Sequence, residues 1–226
     1  MDLHKPHPPS LSPRALAAAG WTAFIIAGCI FLAIAWGVTS RMAIVTLDAR
    51  VAAWLHAHAT PGLTAFLLAV TNVNSTVAIS AWSVIFGVVL TRMREWYWML
   101  TLALAVGGGL ALNVLLKHAY ERARPHFDEP LVSLSTYSFP SGHTAGAVVF
   151  YGVLAAFLVS RAYGKAMRAA CVIGALAAVV LVAFSRVYLG AHYLSDVAAA
   201  ACASTAWLAL CLASVHGRVR RKSGAG

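Results

Sequence analysis

The chain has 226 residues, 61% hydrophobic and 11% charged, with a formal net charge of +10 and a mean hydropathy of +0.77. Soluble domains carry roughly 25% charged residues, so this composition excludes an ordinary water-soluble fold and points to a polytopic membrane protein. It also excludes a nucleic-acid binder, because the basic residues sit at the ends of apolar stretches, where they anchor topology or meet anionic headgroups.

The proline-rich start predicts a disordered cytoplasmic tail over residues 1–14. Ala15 to Ser40 is uncharged and reaches the ~20 residues that a spanning helix needs. It is longer than the h-region of about 7–15 residues in a cleaved signal peptide, so it reads as a retained first span. The next uncharged stretch, Val51 to Thr91, is too long for one crossing. Ile44 to Thr71 carries Asp48, Arg50, His56, His58 and Pro61-Gly62, which predict an amphipathic surface helix and a turn. The second crossing is then expected near Asn74 to Leu90.

Trp96 to Leu116 predicts the third span, and Gly107-Gly108-Gly109 within it permits close approach of a neighbouring helix. Pro130 to Ser160 contains the fourth, Ala169 to Ser185 a short fifth, and Val197 to Gly217 the sixth. Residues 218–226 predict a basic cytoplasmic tail. The expected architecture is an all-α bundle of six transmembrane helices forming one domain over residues 15–217. Cys29, Cys171, Cys202 and Cys211 all lie in apolar stretches without a CxxC spacing, and read as packing residues.

An even number of spans puts both termini on one side. With them go Lys5, Arg14, Arg92, Arg94, Arg161, Lys165, Arg168, Arg218, Arg220, Arg221 and Lys222, which are eleven of the 17 Lys and Arg. The positive-inside rule makes this side the cytoplasm. The opposite face holds three polar clusters: Lys117 to Pro125 (KHAYERARP), Pro140 to His143 (PSGH) and Ser185 to Asp196 (SRVYLGAHYLSD). Each falls at the outer end of a predicted helix, the third, fourth and sixth, so one pocket at the outer membrane surface is geometrically possible.

These clusters supply what a phosphate group needs. Lys117, Arg124 and Arg186 can neutralise it, the arginines with planar forks that match pairs of phosphate oxygens. Ser141 can cap a helix whose first amides point at an anion, Gly142 lets the backbone approach closely, and His143 faces the same side. His192 and Asp196 lie one helical turn apart if the sixth helix has begun by then. The carboxylate would hold a proton on one ring nitrogen and leave the other free to attack phosphorus.

Together the clusters resemble the three signature motifs of the type 2 phosphatidic acid phosphatase superfamily, which also includes vanadium-dependent haloperoxidases. The motifs are Lys-x6-Arg-Pro at Lys117, Arg124 and Pro125; Pro-Ser-Gly-His at 140–143; and Ser-Arg-x5-His-x3-Asp at Ser185, Arg186, His192 and Asp196. The resemblance implies that Lys117, Arg124 and Arg186 bind phosphate with Ser141 and the Gly142 amide. His192 would form a phosphohistidine oriented by Asp196, and His143 would protonate the leaving oxygen, without metal or cofactor. One departure is Ala200, where family members often carry Gly.

Rival readings are weaker. A metal-dependent hydrolase built on His126, Asp128 and Glu129 with the motif histidines matches no ligand spacing, and three nearby cations oppose a divalent ion. A lipid or ion transporter would account for Asn72, Asn74 and Asn113, which serve equally as helix contacts, but has no need of His143, His192 and Asp196. A soluble haloperoxidase does not accord with six spans. The expected protein is a multi-pass phosphatase of the bacterial cytoplasmic (inner) membrane acting on a lipid phosphate at the outer, periplasmic face. Its partners would be that substrate and the surrounding membrane lipids, and the sequence says nothing of oligomeric state. Undecaprenyl pyrophosphate is the first expected substrate, with phosphatidic acid and phosphatidylglycerol phosphate as alternatives.

Overall fold

The computed structural model describes the backbone of residues 13–132 and 134–223, and the side chains of 17–132 and 134–215. Residues 1–12 of the expected N-terminal tail lie outside the described residues, as do the side chains of Arg14, Arg218, Arg220, Arg221 and Lys222. Among the described residues every regular element is helical: α1 (Pro13–Thr39), α2 (Ala43–Ala57), α3 (Pro61–Val73), α4 (Thr76–Arg92), α5 (Trp96–Leu102), α6 (Gly108–Tyr120), α7 (Gly142–Arg161), α8 (Lys165–Tyr188) and α9 (Leu194–Ser223). A π-helical turn, Ala103–Gly107, joins α5 to α6 in one rod, Trp96–Tyr120.

Five helices are long and apolar enough to cross a membrane, and the pair α3 and α4, bent by 49° at a short break, forms a sixth span if counted as one. The part of the expected second segment that precedes Asn74 is divided differently from expectation. Pro61-Gly62 does not end a surface helix; it starts α3, with Pro at the position where its missing N–H costs nothing. Helix α4, Thr76–Arg92, coincides with the expected crossing at Asn74 to Leu90, and α3 adds a bent apolar helix before it where a surface element and a turn were expected. The fifth span is longer than its uncharged stretch, Lys165–Tyr188, because its terminal cations lie within the helix. Likewise α9 runs to Ser223, past the expected end at Gly217.

The outward faces are apolar, with Val77 80%, Trp36 69% and Val180 65% exposed. In water such faces would aggregate; in a bilayer they meet lipid. This is a membrane protein whose interior is held by close packing. Gly108 and Gly109 lie against Trp207 of α9 and Val149 of α7, where a Cβ on Gly109 would come within 2.9 Å of Val149. The glycines thus bring the α5–α6 rod against its neighbours as the sequence led us to expect. The main core joins Ile79 and Leu90 of α4, Leu102, and Val149, Val153 and Phe157 of α7.

Helix α1 runs antiparallel to α9, with Gly20 beside Ala213 at one end and Phe31 and Ala35 clustered with Ala199 at the other. The rod, α7, α8 and α9 alternate in direction, so α7 and α9 lie parallel where they touch. The C-termini of α6 and α8 and the N-termini of α7 and α9 therefore meet at one end of the bundle. At the opposite end Arg161 pairs with Glu95.

Candidate active site

Helix α6 stops because Glu121 adopts a left-handed conformation, φ 44°, its amide donating to the Lys117 carbonyl. The chain then folds back as a loop, pinned where the Ser138 amide donates to the Arg122 carbonyl at 2.8 Å and where Phe139 is fully buried against Phe31 and Tyr120. This loop delivers Arg122, Arg124 and Ser138 to the same end of the bundle as PSGH. Helix α7 starts as expected: the Ser141 side chain accepts from the Thr144 amide, and the Ser141 amide donates to the Asp196 carbonyl at 3.1 Å. Asn113 of α6 reaches the Pro140 carbonyl at 3.3 Å and lies 3.2 Å from where a Gly142 Cβ would stand. The Ala145 amide donates to the Ser141 carbonyl at 3.0 Å, and the Gly142 and His143 amides before it have no acceptor within the helix.

The third cluster differs from expectation in one respect. His192 precedes α9, which begins at Leu194, so His192 and Asp196 do not share a helix face. Instead the end of α8 turns through Gly190, φ +67°, with the Phe127 ring 2.9 Å from where a Cβ would be. The amides of Ala191 and His192 both donate to the Arg186 carbonyl, at 3.1 and 3.2 Å. That turn lays the His192 ring against the first turn of α9 with Nδ1 3.5 Å from Asp196 Oδ2 and 3.4 Å from Ser138 Oγ. The other nitrogen, Nε2, lies 3.2 Å from Arg124 Nη1, which can only donate. This fixes the tautomer: the proton sits on Nδ1 and the lone pair on Nε2, facing the cations.

The residues of the three signature motifs come together at this site. Arg124 also donates to the carbonyls of Thr136, at 2.6 Å, Ala191, at 2.5 Å, and Tyr137, at 3.2 Å; Lys117 donates to the Tyr137 carbonyl as well. Arg186 is 2% exposed; its Nη1 donates to Thr71 Oγ1 of α3 at 2.5 Å, and its Nε is buried without a hydrogen-bond partner. A buried guanidinium N–H left unpaired is costly, and an anion among these cations would satisfy it. His143 lies beside His192 and close enough to Arg186, Arg124 and Lys117 to feel the charge of each cation.

Asp196, fully buried, is held on all sides. Its Oδ1 accepts from Arg122 at 2.7 Å, and Oδ2 accepts from the Tyr193 amide at 2.8 Å and from Ser138 Oγ. The sequence reading missed Asp48, Thr71, Arg122 and Ser138. Two signals were available: Arg122 stands inside the first polar cluster, and Asp48 is one of only seven Asp and Glu in the chain.

His192 is held down from the usual 6.5 to about 4: burial is the largest cause, Asp196 opposes it, and Arg124 and Arg186 add to the lowering. A lowered histidine is neutral above its pKa, so at pH 7 the Nε2 lone pair is available. Nitrogen NMR of histidine-labelled protein, assigned with a His192→Gln variant, is expected to show this ring neutral at pH 5.5 and titrating near pH 4. Titration near 6.5 would show that burial does not control it. Arg124 is also lowered by burial, partly offset by Asp196, but a guanidinium stays charged.

The family model for the PAP2 superfamily matches residues 96–220, which contain all three clusters. Phosphatidylglycerophosphatase B of Bacillus subtilis (strain 168) is 37% identical over 139 residues, covering 61% of this chain and 68% of that protein. The crystal structure of a transmembrane PAP2-type phosphatidylglycerolphosphate phosphatase from Bacillus subtilis is similar at a TM-score of 0.78 with 30% identity, over 88% of this chain and 96% of that one. The crystal structure of Aquifex aeolicus LpxE, 22% identical, shares the fold at a TM-score of 0.59 over 74% of this chain and 94% of its own.

Proposed function

This chain belongs to the PAP2 superfamily and is a membrane phosphatase of lipid phosphates, and on that premise we propose that it releases phosphate from phosphatidylglycerophosphate through a phosphohistidine at His192. The observation that carries the mechanism is the orientation of the ring, with Nδ1 toward Asp196 and Ser138 and Nε2 beside Arg124. The named relatives favour phosphatidylglycerophosphate, the alternative in the sequence reading, over undecaprenyl pyrophosphate, its first choice.

The phosphate enters among Lys117, Arg124 and Arg186, with Ser141 and the Gly142 amide completing the cradle. The Nε2 lone pair of His192 attacks phosphorus, the bond to the glycerol oxygen breaks, and His143 gives that oxygen a proton. Asp196 stabilises the positive ring that results. His143, now neutral, takes a proton from water; the water oxygen attacks phosphorus, and the P–N electron pair returns to Nε2. Inorganic phosphate leaves and both histidines are restored. The three cations supply the charge stabilisation that a metal ion supplies elsewhere, so no metal takes part.

The excess of basic residues at the other end supports an orientation with both termini in the cytoplasm and this site on the outer face of the inner membrane. A headgroup can then enter between helix ends while its acyl chains remain in lipid.

The substrate assignment is tested by phosphate release from purified protein in detergent, using phosphatidylglycerophosphate, phosphatidic acid and undecaprenyl pyrophosphate at matched surface concentration. The highest kcat/KM is expected for phosphatidylglycerophosphate and is expected to survive EDTA. A higher kcat/KM for undecaprenyl pyrophosphate would return the assignment to the carrier lipid.

A further inference from the structure

We propose that Arg122, held in place by Asp48, is a positioning residue for the His192–Asp196 pair, which makes the surface helix α2 part of the catalytic apparatus. The inference rests on the reading of His192 as nucleophile given above. Arg122 lies within the first cluster but at none of its signature positions, and Asp48 lies outside the residues matched by the family model.

The geometry separates Arg122 from the phosphate-binding cations. Its Nη1 donates to Asp196 Oδ1 and to Ser195 Oγ, both at 2.7 Å, and its Nη2 donates to Asp48 Oδ2 at 2.8 Å. The guanidinium lies over the Tyr193 ring, 4.3 Å from its centre. Its terminal nitrogens are thus directed at protein carboxylates, whereas Arg186 keeps a buried N–H without a partner. Asp48, 1% exposed, accepts in addition from the Ser195 amide at 2.9 Å and from Ser195 Oγ at 2.5 Å. A residue of α2 therefore clamps the first turn of α9 directly and through Arg122.

The consequence falls on His192. Asp196 Oδ2 is the oxygen that faces Nδ1; the Tyr193 amide and Ser138 Oγ hold it directly, and a hold on Oδ1 fixes the plane of the carboxylate. Arg122 holds Oδ1 and places a positive charge 2.7 Å from this fully buried carboxylate. An arginine suits the task because its planar fork spans two carboxylates at once; a lysine offers a single point of charge. The desolvated pair also explains a surface helix that carries a buried Asp. Left without Arg122, that charge would have no compensating partner.

The test compares Arg122→Gln, Arg122→Lys and Asp48→Asn with the unaltered enzyme and with His192→Ala, all as full-length protein in detergent. It reads kcat per folded enzyme and the inhibition constant for inorganic phosphate. Arg122→Gln is expected to lose on the order of 10²-fold in kcat, as misplaced catalytic groups do, with the phosphate inhibition constant unchanged. Arg122→Lys should recover part of that loss, and Asp48→Asn should lose about 10-fold, again without weaker phosphate binding. An inhibition constant that rises with the loss of activity would make Arg122 a phosphate-binding residue and overturn the proposal. So would unchanged kcat in whatever folded protein forms, which would reduce the pair to a structural contact. If Arg122→Gln does not fold, Asp48→Asn decides by the same two readouts. Activity retained by His192→Ala would instead remove the nucleophile reading itself, an outcome distinct from any of these.

Discussion

His192→Ala is expected to lose roughly 10⁴-fold or more in kcat, the scale seen when a nucleophile is deleted from a covalent mechanism. The ring is almost fully buried, and its Nε2 is the neutral nitrogen directed at the cations. His143, the other histidine of the site, has no carboxylate partner among the described residues. It lacks the support that stabilises a positively charged ring after attack. The cations and the N-terminus of α7 are untouched by the substitution, so phosphate or vanadate should still bind. The measurement is turnover on lipid substrate together with vanadate affinity. Retained turnover would remove His192 from the chemistry, and loss of vanadate binding in parallel would recast it as a binding residue.

The second large effect is expected at His143, and it depends on what leaves. A glycerol oxygen expelled from phosphorus needs a proton, and positioned acids contribute about 10²–10⁴-fold to such steps. His143→Ala should therefore lose on the order of 10³-fold on a lipid phosphate. An aryl phosphate with an acidic phenol leaves without a proton, so the same variant should lose far less on it. The readout is the ratio of the two losses. Equal losses on both substrates would assign His143 to phosphate binding or to the architecture of the α7 start, where it follows Ser141 and Gly142.

Much of this was legible in the chain. Uncharged stretches mark spans because an unpaired charge in hydrocarbon is expensive, and polar clusters stand out against them for the same reason. The cap at Ser141 was readable because a proline followed by a capping serine is a common helix start. What could not be read depends on long-range contact. The break at Pro61-Gly62 was visible, but whether it ended a helix in a turn or began a new one depends on Leu67 packing against Tyr188 and Leu189. The partnership of Asp48 with Ser195 joins residues 147 apart in the chain, and no local pattern announces it. The His192–Asp196 spacing suggested a shared helix face; the pair meets because a turn at Gly190 folds the ring back onto α9, a geometry in which the spacing of four is incidental.

The central claim is that phosphate passes through a covalent bond to His192, and its stereochemical course tests this most directly. A phosphate ester made chiral at phosphorus with oxygen isotopes can be presented together with an acceptor alcohol, and the configuration of the transferred phosphoryl group read afterwards. Two successive in-line displacements, first by Nε2 and then by the acceptor, predict overall retention of configuration. Inversion would mean a single direct displacement, with His192 acting as a base toward the incoming oxygen, and would contradict the account.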